Sequence, residues 1–299
     1  MTRMRRALLA LILGPEAAEL ATTAPPASPG GPQAPENRAA RRRLRIIALL
    51  AGPEAAVLTA SIQDAFAAQR RAEDRLRSFV ADASHELRTP LATVHGWIDL
   101  YVQGGLRDPD ELDHAIERMQ AEVGRMRLLV DELALLAQLD AARPLNREPV
   151  DVAALAGEVV DDARVVSPDR TITLPTVARA VVDGDSPRIQ QVLRNLVGNA
   201  VQHTRPGTPV EVSVTAPEGK VVLEVRDHGD GIAPEHLPHV FERFYRADPS
   251  RSRADGSSSG LGLAIVEAIV TAHGGTTEVS SALGQGTTVR VTFPGRQRG

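Results

Sequence analysis

The sequence predicts an α+β fold: a helical hairpin that pairs with a second copy into a four-helix bundle, followed by a two-layer α/β sandwich. Three observations predict it. Two apolar seams with steps of three and four residues run over 76–101 and 112–137. A Gly104-Gly105 break followed by Asp108-Pro109-Asp110 divides them. Beyond Pro144 the texture changes to short β-rich runs alternating with helical ones.

Taken in order, residues 1–51 form a low-complexity segment. It holds two short apolar runs (7–13 and 46–51), each preceded by arginines and stopped by Gly-Pro, and a Pro/Ala/Gly-rich linker over 22–40. Residues 12–24 resemble 50–61, which a small duplication and a chance match explain equally well. Neither run reaches the roughly 20 apolar residues of a membrane-spanning helix, so none is expected. Over 52–75, Leu58, Ile62, Ala65, Ala72 and Leu76 keep a heptad phase. The step to Val80 is four where three is due, a stutter that locally unwinds a coiled coil. In the unit spanning 76–143, Val80, Ala83, Leu87, Val94 and Tyr101 continue the seam, with Pro90 and Trp97 filling gaps, and Pro90 is expected to bend the helix. Leu112, Ile116, Met119, Val123, Met126, Val130, Leu133 and Ala137 then repeat as the seam of a second helix. Two such helices have too little mutual surface to stand alone, hence the expected dimer. In the last unit, 148–296, strands are predicted at 171–174, 180–182, 210–215, 221–226, 276–280 and 288–293. Helices are predicted at 152–166, 186–203, 234–240 and 260–273, and Pro217-Glu218-Gly219 supplies a hairpin turn.

Composition narrows the function. A net charge of −4 argues against a nucleic-acid binder. The absence of cysteine excludes disulfides, thiolate catalysis and cysteine-ligated zinc. Aromatics make up only 3%, so Val, Leu, Ile and Ala must build the core.

Within FVADASHELRTPL (79–91), His85 lies about 200° around the helix from Ala83 and points away from the seam. Glu86 beside it can take a proton from the ring. An outward imidazole next to a carboxylate suits phosphoryl acceptance, although a lone His-Glu pair is more often ordinary surface. Four boxes further on shift that balance. Asn195 and Asn199, one turn apart, can offer amide oxygens to Mg²⁺ or to phosphates. Asp227-His228-Gly229-Asp230-Gly231-Ile232 ends a strand with a carboxylate able to accept from a purine amine and glycines that admit close approach. Phe241-Glu242-Arg243-Phe244-Tyr245-Arg246 mixes aromatics for a lid with arginines for phosphate. Ser259-Gly260-Leu261-Gly262-Leu263 opens a helix whose backbone donors and dipole favour a polyphosphate. Gly284-Gln285-Gly286-Thr287 precedes the last strand. Each box alone is weak, while their order over about a hundred residues is specific.

Together these motifs resemble the sensor histidine kinases of two-component signalling, over roughly residues 52–295. The resemblance implies a dimerisation and phosphoacceptor hairpin joined to a Bergerat-type ATP-binding domain. It implies ATP and Mg²⁺ as cofactors, a homodimer, and a separate response regulator whose aspartate receives the phosphoryl group. It makes His85 the acceptor, Glu86 its acidic helper, and Thr89 the residue orienting water for dephosphorylation of the regulator. Asn199 becomes the main Mg²⁺ ligand with Asn195 in support, and Asp227 the adenine anchor. Gly229, Gly231, Gly260 and Gly262 match the nucleotide-binding glycines. Gln202, His203, Ile232, Phe241, Phe244, Leu261, Leu263 and Thr287 complete the implied contact set. Gln202 stands where the family often has a phosphate-reaching lysine, which leaves that charge to Arg243 or Arg246. Serines 257 and 258 replace lid glycines, and residues 52–72 are similar to the tail of a membrane-proximal HAMP linker. The catalytic part belongs in the cytosol, while full-length relatives usually sit in the inner or plasma membrane. Two other readings stay open: an ATPase of the same superfamily that drives a conformational clamp, and a non-catalytic dimeric scaffold.

Overall fold

A computed structural model describes residues 53–141, 144–175, 179–247 and 259–296. The expectations for residues 1–51 and for Ser257 and Ser258 lie outside these residues. By its contacts the chain divides at Asp74–Arg75. Helix α1 (Pro53–Val102) contains Pro90, which is buried. In the first unit it presents Ile62 and Phe66 to solvent.

In the second unit the helix stops where glycine permits a left-handed turn. Gly104 has φ 75°, and the Gly104 and Gly105 amides bond back to the Tyr101 and Leu100 carbonyls. Helix α2 (Pro109–Asp140) starts from Asp108, whose side chain accepts from the Asp110 amide, with Pro109 at the first helical position. The seam expected on α2 is divided between two environments. Leu112, Met119, Met126 and Leu133 are half-buried, whereas Ile116, Val123 and Val130 are exposed. The deepest row, Ala115, Leu129 and Leu136, lies to one side of that seam. Within the single chain one flank of α2 is buried, and its other apolar flank faces out. On α1, Val80, Leu91, Ile98 and Tyr101 are likewise exposed.

The sandwich holds strands β1 (Glu148–Asp151), β2 (Ile172–Thr173), β3 (Val181–Gly184), β4 (Val210–Thr215), β5 (Lys220–Asp227), β6 (Thr276–Ser281) and β7 (Thr287–Pro294). Its helices are α3 (Val152–Val166), α4 (Ser186–Gln202) and α5 (Gly262–Ala272). A five-stranded sheet has the order β2-β4-β5-β7-β6, with β2 parallel to β4 and the other pairs antiparallel. β1 pairs with β3 in a two-stranded sheet. β1 was not anticipated, because Pro149 and two charged residues in four mask its pairing. The helix expected at 234–240 is only a 3₁₀ turn, Leu237–His239, since Pro238 lacks the amide that would bond back to the carbonyl of Pro234.

Alternation on β4 and β5 sends Val210, Val212, Val214, Val221, Leu223 and Val225 towards the helices. The opposite face carries charge, with Arg290 paired to Glu224 and Glu278 on neighbouring strands. The inner face packs with Val159, Ile189, Leu193, Leu196, Ile265 and Ile269 in one cluster, which Leu129, Leu135 and Leu136 of α2 also join. Hairpin and sandwich therefore share a continuous core.

Candidate active site

His85 lies on the exposed face of α1, and its ring has no partner among the described residues. Glu86 is half-buried, and Arg246 Nη1 is 4.0 Å from its Oε2. Thr89, one turn on, is exposed. The expected outward orientation of the imidazole is what the helix delivers.

Helix α4 carries the two asparagines. Its N-cap Asp185 accepts from the Arg188 amide, and Ile189, Val192, Leu193, Leu196 and Val197 are buried. This burial turns Asn195 and Asn199 towards α5. Asn195 Nδ2 donates to the Gly262 carbonyl at 3.0 Å, which ties the helix to the start of α5. The Asn199 amide makes no side-chain bond among the described residues. A Cβ at Gly262 would lie 3.5 Å from Asn199 Oδ1, so glycine there keeps that oxygen uncovered.

Asp227 ends β5. Its Oδ1 accepts from the Gly229 amide at 2.9 Å and from the Thr287 amide at 3.2 Å, while Oδ2 has no hydrogen bond among the described residues. Close packing requires glycine around it. A Cβ at Gly286 (φ 77°) would come within 1.9 Å of the Asp227 carbonyl oxygen, and one at Gly231 (φ 71°) within 2.0 Å of the Ala282 carbonyl oxygen. The Ile232 amide donates to Ser281 Oγ, which donates to the Gly286 carbonyl. Gln202 and His203 close α4 on the exposed side. Surrounding atoms desolvate the His203 ring and the Arg246 charge adds to that, together lowering its pKa below 6.5, while Asp227 pulls the other way.

The phenylalanine box meets the second glycine box directly. Phe244 has φ 61°, the only positive value for a non-glycine among the described residues, and its amide donates to the Gly260 carbonyl. A Cβ at Gly260 would lie 2.9 Å from the Phe244 carbonyl carbon. Phe241 and Phe244 pack on the shared core. The Leu261 side chain is fully buried there, so only its backbone could meet a ligand, and its amide already bonds Ser259 Oγ. The Gly262, Leu263 and Ala264 amides open α5 without a side-chain cap. Arg243 is committed elsewhere: its Nη2 donates to both carboxylate oxygens of Asp140, at 2.7 and 2.9 Å, and it lies 5.2 Å above the Phe79 ring. Both arginines considered for phosphate lie against the histidine helix, Arg243 at Phe79 and Arg246 at Glu86, next to His85.

Several contributors carry no local sequence signal. Ser281 bridges two loops from a strand end, Glu132 on α2 accepts from Ser259 Oγ at 2.8 Å, and Asp140 holds Arg243. Only Thr204, a hydroxyl residue just past the helix end, follows a recognisable capping pattern.

The donor set suits a nucleotide. A free carboxylate oxygen at Asp227, a free amide at Asn199 and uncapped amides at α5 offer an acceptor, a hard oxygen and anion donors in one region. Among the described residues no three His, Asp or Glu side chains converge as a metal site. A metal here would therefore take most of its ligands from phosphate and water, as Mg²⁺ does.

Comparison with known proteins gives the family. Residues 184–297 match the histidine kinase-, DNA gyrase B-, and HSP90-like ATPase family, and residues 75–142 match the His Kinase A phospho-acceptor domain. The chain belongs to the sensor histidine kinases of two-component signal transduction. It is 48% identical over 224 residues to the probable sensor histidine kinase TcrY of Mycobacterium tuberculosis, covering 75% of this chain and 47% of that protein. The Acinetobacter baumannii histidine kinase AdeS is similar in structure, with TM-score 0.58 and 26% identity over 71% of this chain and 98% of the other. The histidine kinase ThkA, solved in complex with the response regulator protein TrrA, shares the fold, with TM-score 0.59 and 24% identity over 75% and 63%. The chain spans about half the length of the curated relatives it matches.

Proposed function

We propose that this chain phosphorylates its own His85 from ATP and passes the phosphoryl group to an aspartate on a separate response regulator. The observation that carries this reading is the partnerless, exposed His85 ring with Arg246 of the phenylalanine box reaching its neighbour Glu86. The nucleotide domain and the acceptor helix meet at that point.

In this reading Asp227 Oδ2 accepts from the purine amine, the α5 amides bind phosphate, and Asn199 with Asn195 holds Mg²⁺. Mg²⁺ so bound would neutralise charge on the phosphates. A ring nitrogen of His85 attacks the γ-phosphorus in line. The N–P bond forms as the bond to the ADP oxygen breaks, and the ring proton passes to Glu86. Arg246 offsets charge on the transferring group, in the place of the lysine absent at Gln202. The regulator's carboxylate then displaces the imidazole from phosphorus. Thr89 orients the water that later hydrolyses the regulator's acyl phosphate. Residues 76–143 act as dimerisation and acceptor domain and 148–296 as ATP domain, with 52–75 delivering the signal. The exposed flanks of α1 and α2 support a homodimer that closes a four-helix bundle. Catalysis takes place on the cytosolic side, where ATP is supplied. Among the described residues no helix is long and apolar enough to cross a membrane.

Incubation with γ-labelled ATP tests the reading. Label that is acid-labile, base-stable and absent from His85→Gln and Asn199→Ala is the expected result. Free phosphate without labelled protein would favour a clamp-type ATPase, and neither product would favour a scaffold. Label retained by His85→Gln would overturn the assignment.

A further inference from the structure

Arg170 follows a tight turn in which its amide bonds the Ser167 carbonyl, and only 9% of its surface is exposed. A buried guanidinium with no carboxylate bonded to it is unusual, because the charge must be solvated by the protein itself. Here five donations do so. Nη1 reaches Thr204 Oγ1 and the Thr208 carbonyl at 2.9 Å. Nη2 reaches the carbonyls of Val201, Thr204 and Arg205 at 3.1, 3.3 and 3.0 Å. The Val201 carbonyl belongs to the last turn of α4, and those of Thr204 and Arg205 belong to the turn that follows the helix, where Arg205 also accepts from the Thr208 amide.

The contacts continue to the purine end of the site. Thr204 Oγ1 donates to the Ala200 carbonyl, which leaves it free to accept from Arg170. The Thr204 methyl lies 2.6 Å from where a Cβ on Gly229 would be, so it rests against the loop that Asp227 anchors. One rigid group thus fixes both the last turn of the asparagine helix and, through Thr204, the position of the glycine loop.

We infer that Arg170 is a positioning residue of the nucleotide site, setting the gap between the asparagine helix and the Asp227 loop and so the affinity for ATP. The inference rests on the ATP-binding reading above. Lysine cannot replace it fully, because three donors on a point charge cannot span carbonyls gathered by a planar fork.

The test uses the purified full chain as wild type, Arg170→Met, Arg170→Lys and Thr204→Ser. It compares calorimetric Mg-ATP affinity, KM and kcat of self-labelling, and melting temperature. Arg170→Met is expected to raise Kd and KM by about tenfold or more, with kcat at saturating ATP within about threefold of wild type. Arg170→Lys should recover part of that loss. Thr204→Ser keeps the hydroxyl, removes the methyl and should weaken binding by a smaller factor. If Arg170→Met does not fold, the lysine and serine variants decide. A variant pair with lowered melting temperature but wild-type Kd and KM would overturn the inference alone. A wild-type chain that binds no nucleotide would overturn the kinase reading together with it.

Discussion

Glycine at 286 and glycine at 284 differ in consequence, although both adopt positive φ (77° and 74°). A Cβ at Gly286 would stand 1.9 Å from the Asp227 carbonyl oxygen, whereas one at Gly284 meets nothing within 4 Å. Gly284→Ala should therefore cost only the left-handed backbone penalty, about 1 kcal/mol. Gly286→Ala should cost about 3 kcal/mol or more, because backbone must move against backbone, and it should also displace Asp227 and weaken nucleotide binding. Denaturant melts of the two variants, with nucleotide titration, check this. Equal costs would mean that the loop yields freely. The same reasoning explains Phe244. Its left-handed backbone is held by its amide bond to Gly260, whose lack of a side chain lets the two boxes touch.

At the scale of elements, α5 closes on a buried histidine. His273 accepts at Nε2 from the Asp185 amide, the N-cap of α4, and its Nδ1 lies 2.7 Å from the Ile269 carbonyl. Both contacts are satisfied by the neutral ring with its proton on Nδ1, and protonation at Nε2 would break the first. Burial accordingly lowers the His273 pKa below 6.5. The unfolded chain then binds the proton more readily, so stability rises with pH across this window. The contribution is present above about 6.5 and is lost as pH falls through the folded value. Denaturation midpoints should drop between pH 7 and 5, and His273→Gln should flatten that slope while lowering the midpoint at pH 7. A second expectation concerns the hairpin. Val123 and Val130 are about half exposed on α2, at 52% and 50%. Replacing both with Glu should leave the ATP domain folded and shift sedimentation to monomer, since each buried valine contributes roughly 1.5 kcal/mol or more. Unchanged sedimentation would place the dimer contact elsewhere.

At the scale of the molecule, hairpin and sandwich are joined by more than their common core. Arg243 donates from Nη2 to Asp140 and covers Phe79, Phe79 meets Phe244, and Glu132 accepts from the Ser259 hydroxyl. Glu132 is the weak point, because burial raises its pKa above 4.5, against the bond from Ser259. Its favourable contribution is complete below about 4.5 and is lost as pH rises through the folded value, so ionisation of Glu132 opposes docking. Glu132→Gln should be modestly more stable than wild type at pH 7.5, with the difference vanishing near pH 4.5. A difference that grows on acidification would contradict this account. The sequence by itself determined the periodic helices, the hydrophobic strands and the boxes, because each of these is written in neighbours along the chain. The 3.6-residue period turned His85 outward, and the alternation of Val210–Thr215 marked β4 to the residue. Only the tertiary structure decided that Arg243 belongs to Asp140, that the flank of α2 bearing Val123 lies outside the single-chain core, and that Arg170 gathers the end of α4. These pairings join residues 31 to 103 positions apart, and β1 depends equally on a partner strand more than thirty residues on. Such contacts form only when packing brings distant segments together, and no local propensity encodes which distant group will arrive.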